Sequence, residues 1–231
     1  MRSAQVSPPS VLQPAPLSAA GSVESSLRNQ ILKGVLPGGQ RLMQDAIAAQ
    51  FGVSQSMVRE AFKQLAAEGF LRSEPRKGVT VAALTREDAD ELTHLRSAVE
   101  AQALEWAIPK LTKADLEQAR LALKALETAA SPDDVILWNA RFHDALYDAC
   151  ARPRTLALIA TLRMSFDRYF RVMLSESGHP SRSQQEHRDL LRLCRSGDVP
   201  RACALLRAHL VGTGKGLALQ WKRRELNARS T

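Results

Sequence analysis

The stretch GVSQSMVREAFKQLAAEGFLRSEPRKGVTV, residues 52–81, decides how the first part of the chain folds. Its first half carries apolar residues at helical spacing, and they follow Ser54, a residue type that favours the N-cap of a helix. Gly69 is a stop signal for that helix. Two short apolar runs then flank the sequence PRK, as expected for two short strands. We therefore predict an amphipathic helix that leads directly into a small basic hairpin.

Two further helices are predicted before this segment. The first has Ser22 as its N-cap and ends at Gly34 and the PGG sequence that follows it. The second covers MQDAIAAQF and stops at Gly52. Three helices followed by a hairpin form a winged helix-turn-helix, which we predict for residues 22–82.

The start of the third helix and the tip of the hairpin carry the residues that we expect to contact DNA. A recognition helix presents its N-terminal residues to base edges in the major groove. Basic residues at the wing tip contact phosphates, and a glycine there allows close approach to the backbone. The alternative to a DNA-binding surface is an ordinary helix whose polar end is exposed to solvent. The predicted DNA-binding residues are Ser54, Gln55, Ser56, Met57, Arg59, Arg76, Lys77 and Gly78.

The character of the sequence changes after Thr85, where strand signals become sparse and Leu/Ala-rich segments follow one another. We predict an all-α helical bundle, so the fold class is mainly α with an N-terminal winged helix-turn-helix. The domains are a flexible tail at 1–21, the DNA-binding domain at 22–82 and the helical domain at 85–227. The predicted helices of the bundle cover 85–108, 112–129, 132–150, 153–176, 181–196 and 198–227.

Composition narrows the class of protein. The net charge of +8 suits a nucleic-acid partner. The three cysteines form no CxxC pair, which favours reduced thiols in a cytosolic protein. There is no apolar run of the 18 or so residues that a membrane helix needs, and the N-terminus lacks the apolar core of a signal peptide. We expect a cytoplasmic protein without a membrane partner, associated with the nucleoid when it binds its operator.

Three histidines fall on separate predicted helices of the bundle: His143, His187 and His209. Asn139 lies four residues before His143, on the same helix face. Three imidazoles that converge can hold a divalent metal with a position left open for a ligand, and imidazole suits zinc or nickel. A surface or satisfied core position is the commoner fate of any single histidine, so the pattern alone leaves both readings open.

Residues 22–82 resemble the GntR family of bacterial transcription regulators. The resemblance rests on GVLPGGQRL, on GVSQSMVREAFKQLAAEGF and on the glycine that opens the wing. The sequence departs from the family pattern at Gln55, where Arg is usual, at Met57, where Pro is usual, and at Ile47, where Leu is usual. Glutamine pairs bidentately with adenine, so we expect a shifted operator sequence. Asp45 occupies the place of an arginine that contacts DNA in fatty-acid-responsive relatives, and no contact is carried over to it.

The bundle resembles the FCD ligand-binding domain that accompanies GntR winged helices, over roughly residues 85–225. The matching motifs are ELTHLRSAVEAQALEWA, NARFHDAL, EHRDLLRLCRSGD and RAHL. In metal-binding members an Asp and three His are the ligands, and the resemblance places Asn139 on the Asp position. It also implies that Arg96 points into the cavity, although a surface salt bridge with Glu100 is the alternative. The implied metal ligands are Asn139, His143, His187 and His209, and the expected effector-binding residues are Arg96, Asn139, Arg163 and Tyr169.

The two resemblances imply a ligand-responsive DNA-binding transcription regulator, not an enzyme. We expect a homodimer on double-stranded operator DNA that represses a catabolic operon. Its helical domain is expected to bind a divalent metal, zinc or nickel, and a small organic acid effector. Two rival hypotheses remain: a metal-dependent hydrolase with an appended DNA-binding module, and an architectural DNA-binding protein without a ligand. No carboxylate accompanies the histidines in a motif such as H-E-x-x-H, which counts against the hydrolase.

Overall fold

Short helices and a small sheet form the first part of the chain in the computed structural model, which describes residues 19–74, 78–177 and 181–229. The helices are α1 Ala19–Leu32, α2 Gln44–Phe51 and α3 Gln55–Ala67, and the strands are β1 Arg41–Leu42, β2 Leu71–Glu74 and β3 Gly78–Val81. The sheet is antiparallel with the order β1-β3-β2. The predicted hairpin is therefore present, with a third, two-residue strand on its edge that the sequence did not indicate.

Local capping explains where the recognition helix begins and ends. Ser54 has extended backbone angles, and its hydroxyl accepts a hydrogen bond from the Met57 amide at 3.4 Å, as an N-cap residue does. Gly69, with φ of +79°, turns the chain out of the helix toward β2. The predicted cap at Ser22 is wrong, because α1 already begins at Ala19 and Ser22 lies inside its first turn.

The core of this first part is built from the apolar stripes of its three helices and the inner face of the sheet. An ion pair between Arg28 and Glu68 (2.7 Å) ties α1 to the end of α3. The buried residues of the core are Val23, Leu27, Ile31, Leu42, Ile47, Ala48, Val58, Ala61, Phe62, Leu65, Phe70, Leu71 and Val81.

The rest of the described chain forms six long helices: α4 Arg86–Ala107, α5 Lys113–Glu127, α6 Pro132–Tyr147, α7 Pro153–Ser177, α8 Ser181–Ser196 and α9 Val199–Arg229. Short 3-10 helices, Ile108–Lys110 and Asp148–Cys150, follow α4 and α6. Thr85, Thr112 and Ser131 cap α4, α5 and α6 through their side chains. The predicted fold class, a winged helix-turn-helix followed by an all-α bundle, is confirmed. Among the described helices, none combines the length and apolar character that a membrane-crossing segment needs.

Helix α7 connects the two parts of the molecule. Its Ser165 hydroxyl donates to the carbonyl oxygen of Glu68 at 2.8 Å, and Arg168 donates to the carbonyl of Ala82 at 2.6 Å. The Tyr169 hydroxyl accepts from the Thr85 amide at 3.1 Å. These bonds hold one face of α7 against the end of the recognition helix and the segment that leads into α4.

Candidate metal centre and nucleic-acid interface

The start of α3 presents a polar, solvent-exposed surface. Gln55, Ser56 and Arg59 are exposed, and the Met57 side chain is 41% exposed. The opposite face of the same helix is buried in the core, which fixes the direction of these side chains. Within the described residues Arg59 has no acidic partner, so its guanidinium is available to an external anion.

The wing is described only at its base. The predicted contacts Arg76 and Lys77 lie outside the described residues. Gly78 has φ of +85°, and a Cβ at this position would lie 3.4 Å from the guanidinium of Arg41. Arg41 is exposed on β1, so it adds a cation beside the wing that the sequence analysis missed. Only the pairing of β1 with β3 brings it there, and a two-residue strand has no periodicity that reveals such a position.

Three histidines converge at the centre of the bundle. His143 of α6, His187 of α8 and His209 of α9 are 1%, 0% and 5% exposed. One nitrogen from each ring lies within 4.8 Å of the others. Their ring centroids are 4.6 Å apart for His187 and His209 and 5.2 Å for His143 and His187. The structure therefore brings together the three residues that the sequence placed on separate helices.

Outer hydrogen bonds orient two of these rings. His209 Nδ1 lies 2.9 Å from Glu186 Oε2. A carboxylate can only accept, so Nδ1 carries the proton and the lone pair of His209 is on Nε2. A carboxylate on the far nitrogen is the usual outer partner of a metal-binding histidine.

The second ring is oriented by a buried chain of polar groups. Tyr147 donates to Glu100 Oε2 at 2.9 Å, so its oxygen accepts from His143 Nδ1 at 3.1 Å. This arrangement leaves the lone pair of His143 on Nε2, which is buried and has no hydrogen-bond partner in the described part of the chain. A buried nitrogen without a partner beside two further imidazoles fits a site for a metal ion.

The electrostatic environment keeps the ring of His143 neutral. Burial, with further contributions from the neighbouring imidazoles and from two arginines, lowers the pKa of His143 well below its ordinary value. Burial and the nearby Glu100 raise the pKa of Tyr147, which remains a hydroxyl donor. Neutral imidazoles are the form that binds metals.

A small cavity of about 20 Å³ opens beside the histidines, which is room for one water-sized species. Asn139 and Arg96 both line it. Arg96 also pairs with Glu100 at 2.7 Å, but neither residue is on the surface: they are 5% and 0% exposed. The salt bridge that was the alternative for Arg96 therefore exists, but it is buried and not on the surface. The lining consists of Arg96, Asn139, His143, Phe166, Asp167, Phe170, His209, Leu210 and Thr213.

Asp167 is the acidic residue in this lining, and the sequence analysis did not predict it. Burial raises the pKa of its carboxyl from 3.8 to about 7, although the positive charges of Arg96, Arg163 and Arg171 oppose that rise. No motif points to Asp167. Its spacing of four residues from both Arg163 and Arg171, which puts the three on one face of α7, is the signal that was available.

Two predicted effector-binding residues are directed elsewhere. Arg163 forms an ion pair with Asp144 and donates to the carbonyl of Ala140 at 3.1 Å. The Tyr169 hydroxyl binds Thr85 and Asp88 at the start of α4. Neither side chain belongs to the lining of the cavity beside the histidines. Both residues were predicted from their place on α7 alone. Each residue of a helix is rotated by about 100° from the one before it, so residues that are close in sequence can face different neighbours.

Sequence comparison identifies the two parts of the chain. Residues 19–81 match the family described as bacterial regulatory proteins, gntR family, and residues 91–212 match the FCD domain. The chain belongs to the GntR family of regulators with an FCD domain. This family consists of transcription regulators, not enzymes, so the regulator prediction is confirmed and the hydrolase alternative is wrong.

Individual relatives agree with this assignment. The HTH-type regulator YdhC of Bacillus subtilis is 30% identical over 128 residues, which are 54% of this chain and 57% of YdhC. The gluconate operon transcriptional repressor of the same organism is 39% identical over 95 residues, 41% of this chain and 37% of the repressor. A GntR-family regulator from Pseudomonas syringae pv. tomato, known from a crystal structure, is 34% identical in sequence. The match covers 91% of this chain and 89% of that chain, with a TM-score of 0.59. As a GntR regulator with an FCD domain, this protein is a DNA-binding transcription regulator.

Proposed function

We propose that this regulator represses a catabolic operon and that its FCD domain binds one divalent metal and a small carboxylate effector that releases the operator. The observation that carries the proposal is the cluster of three buried imidazoles within 4.8 Å, two of them with their lone pairs directed inward by Glu186 and by the Tyr147–Glu100 pair. Of these inward nitrogens, His143 Nε2 is buried and has no hydrogen-bond partner among the described residues, which points to a ligand.

The donor set fits zinc or nickel. His143, His187 and His209 would hold the ion, since three neutral imidazoles are a common ligand set for these metals. When bound, the ion supplies a positive charge and open coordination positions for an anionic group. Asn139 contributes an uncharged amide oxygen at most.

The effector binds between this centre and Arg96. The guanidinium of Arg96 keeps donors free beyond its bond to Glu100, and a guanidinium suits a carboxylate. A second cavity of about 90 Å³ shares Phe170 and Thr213 with the first and has room for the rest of the molecule. Gly212 and Gly216 of α9 border it, and a Cβ at either position would meet nothing within 4 Å. A small, partly apolar acid suits this shape.

Helix α7 transmits effector binding to the DNA-reading part. One face of α7 lines the cavity with Phe166, Asp167 and Phe170. The other face holds the end of the recognition helix through Ser165 and the segment before α4 through Arg168. An effector shifts operator affinity only if it binds one arrangement of these contacts more tightly than the other. A difference of about 1.4 kcal/mol changes affinity tenfold.

On the DNA side, a homodimer binds a palindromic operator. Gln55, Ser56, Met57 and Arg59 read the major groove from the exposed start of α3, with Ser54 as the cap. Gly78 and the basic residues of the wing contact the backbone.

Metal analysis of matched histidine variants tests the proposed centre. After purification and dialysis, elemental analysis should find about one zinc or nickel ion per chain in the wild type. His187→Ala should lose the ion. His94→Ala is the matched control, because His94 is exposed on the outside of α4, and it should retain the ion. Stoichiometric metal in His187→Ala would contradict the three-histidine site.

A further inference from the structure

We propose that Asp167 supplies the carboxylate that Asn139 cannot give to the metal centre. The inference rests on the proposed metal site and adds to it a carboxylate from α7, a helix that contributes none of the histidines. Asp167 acts on the ion through one bound water.

Asp167 lines the same small cavity as Asn139, His143 and His209. The cavity holds about one water-sized species, at about 20 Å³. A water in it is therefore close to the Asp167 carboxylate and to the imidazoles of His143 and His209.

Asp167 also lacks a partner of its own. In the described ranges no hydrogen bond reaches its carboxylate oxygens. The basic residues around it are already paired with other acids. These pairs are Arg96 with Glu100, Arg163 with Asp144 and Arg171 with Asp133. A partly buried carboxylate that is left over beside the imidazoles of His143 and His209 is suited to hold a metal-bound water.

Three neutral imidazoles and an asparagine bring no negative charge to a divalent cation. Of the acidic residues that the structure describes, Asp167 alone lines this cavity, while Glu186 and Glu100 act through His209 and Tyr147. One carboxylate leaves the centre with a net charge of +1 at full occupancy, which favours an anionic effector.

Cobalt(II) titration of the metal-free full-length protein tests the inference, with the dissociation constant and the visible absorption bands as readouts. Asp167→Asn should bind cobalt about 10- to 100-fold more weakly than the wild type and with changed bands. The swap Asn139→Asp with Asp167→Asn should regain at least tenfold of that loss, because α6 then supplies a carboxylate to the same cavity. Asp189→Asn, on the outer side of α8, is the matched control and should bind like the wild type.

The outcomes separate the two proposals. A wild type that does not bind cobalt overturns the metal site itself. A wild type that binds cobalt, with an Asp167→Asn variant of equal affinity and identical bands, overturns only the role of Asp167. A swap variant that binds cobalt as weakly as Asp167→Asn also overturns it, because a carboxylate in this cavity would then not be what strengthens metal binding. Circular dichroism of each variant confirms that it is folded before titration.

Discussion

Replacing Asp167 by Asn should stabilise the metal-free protein at neutral and alkaline pH. Folding raises the pKa of this carboxyl from 3.8 to about 7 because burial disfavours its charged form. Between these two values the folded protein holds a proton that the unfolded chain has released. The stability of the wild type therefore falls as pH rises through this window. Asn carries no such charge at any pH.

The size of the effect follows from the shift. One pKa unit corresponds to about 1.4 kcal/mol. Ionising Asp167 in the folded state therefore costs up to about 4 kcal/mol above pH 7, and about 1.5 kcal/mol of that cost is already present at pH 5. The advantage of the Asn variant should grow by about 3 kcal/mol between pH 5 and pH 8.

Urea unfolding followed by circular dichroism measures this difference. Both proteins are stripped of metal with a chelator and compared at pH 5 and at pH 8. Other titrating groups, such as His143, are present in both proteins, so their contributions cancel in the difference between variant and wild type. A difference in the free energy of unfolding that stays constant between the two pH values would refute the burial of an ionisable Asp167.

Three further outcomes are expected. Arg59→Ala should lower affinity for the selected operator by about 1–3 kcal/mol, whereas Lys63→Ala should change it little, because Lys63 pairs with Glu60. Fluorescence anisotropy measures both affinities. Equal effects of the two substitutions would contradict base reading by Arg59. Gln55→Arg should shift the base preferred at one position of each half-site from adenine to guanine in a binding-site selection, and unchanged selected sequences would remove Gln55 from base readout. Glu186→Gln should weaken zinc binding about tenfold or more in a chelator competition, because Glu186 orients His209. The control is Glu127→Gln, which removes an ion pair with Arg188 on the outside of α8. Equal zinc affinities of the two variants would mean that Glu186 does not support the metal.

Local signals in the sequence were enough to predict where most of the helices lie. Thr85 and Ser131 are strong N-caps, and both helices begin directly after them. The start of α1 was misplaced because Ser22 is followed by a good apolar stripe but lies within a helix that starts three residues earlier. Strand β1 exists only because Arg41 and Leu42 pair with β3. Its residues carry no signal of their own, so tertiary contact decides it.

The site was predictable in the part that rests on helical spacing. Asn139, His143 and Tyr147 lie four residues apart on α6, and Arg96 and Glu100 lie four apart on α4, so each set shares one face. Asp167 was missed because its role depends on which face of α7 turns toward α6 and α9. The same rotation directs Arg168 to the carbonyl of Ala82 and Tyr169 to Thr85 at the start of α4. Spacing within one helix does not fix that rotation, which is set by packing.

The dependence of operator release on metal tests the central claim most directly. Fluorescence anisotropy follows a labelled operator bound to the protein while small carboxylates are added, once with zinc-loaded protein and once with chelator-treated protein. A carboxylate that lowers operator affinity at least tenfold in the loaded protein should have no effect at the same concentration on the stripped protein. Equal release from both forms would show that the metal centre takes no part in effector control and would contradict the account.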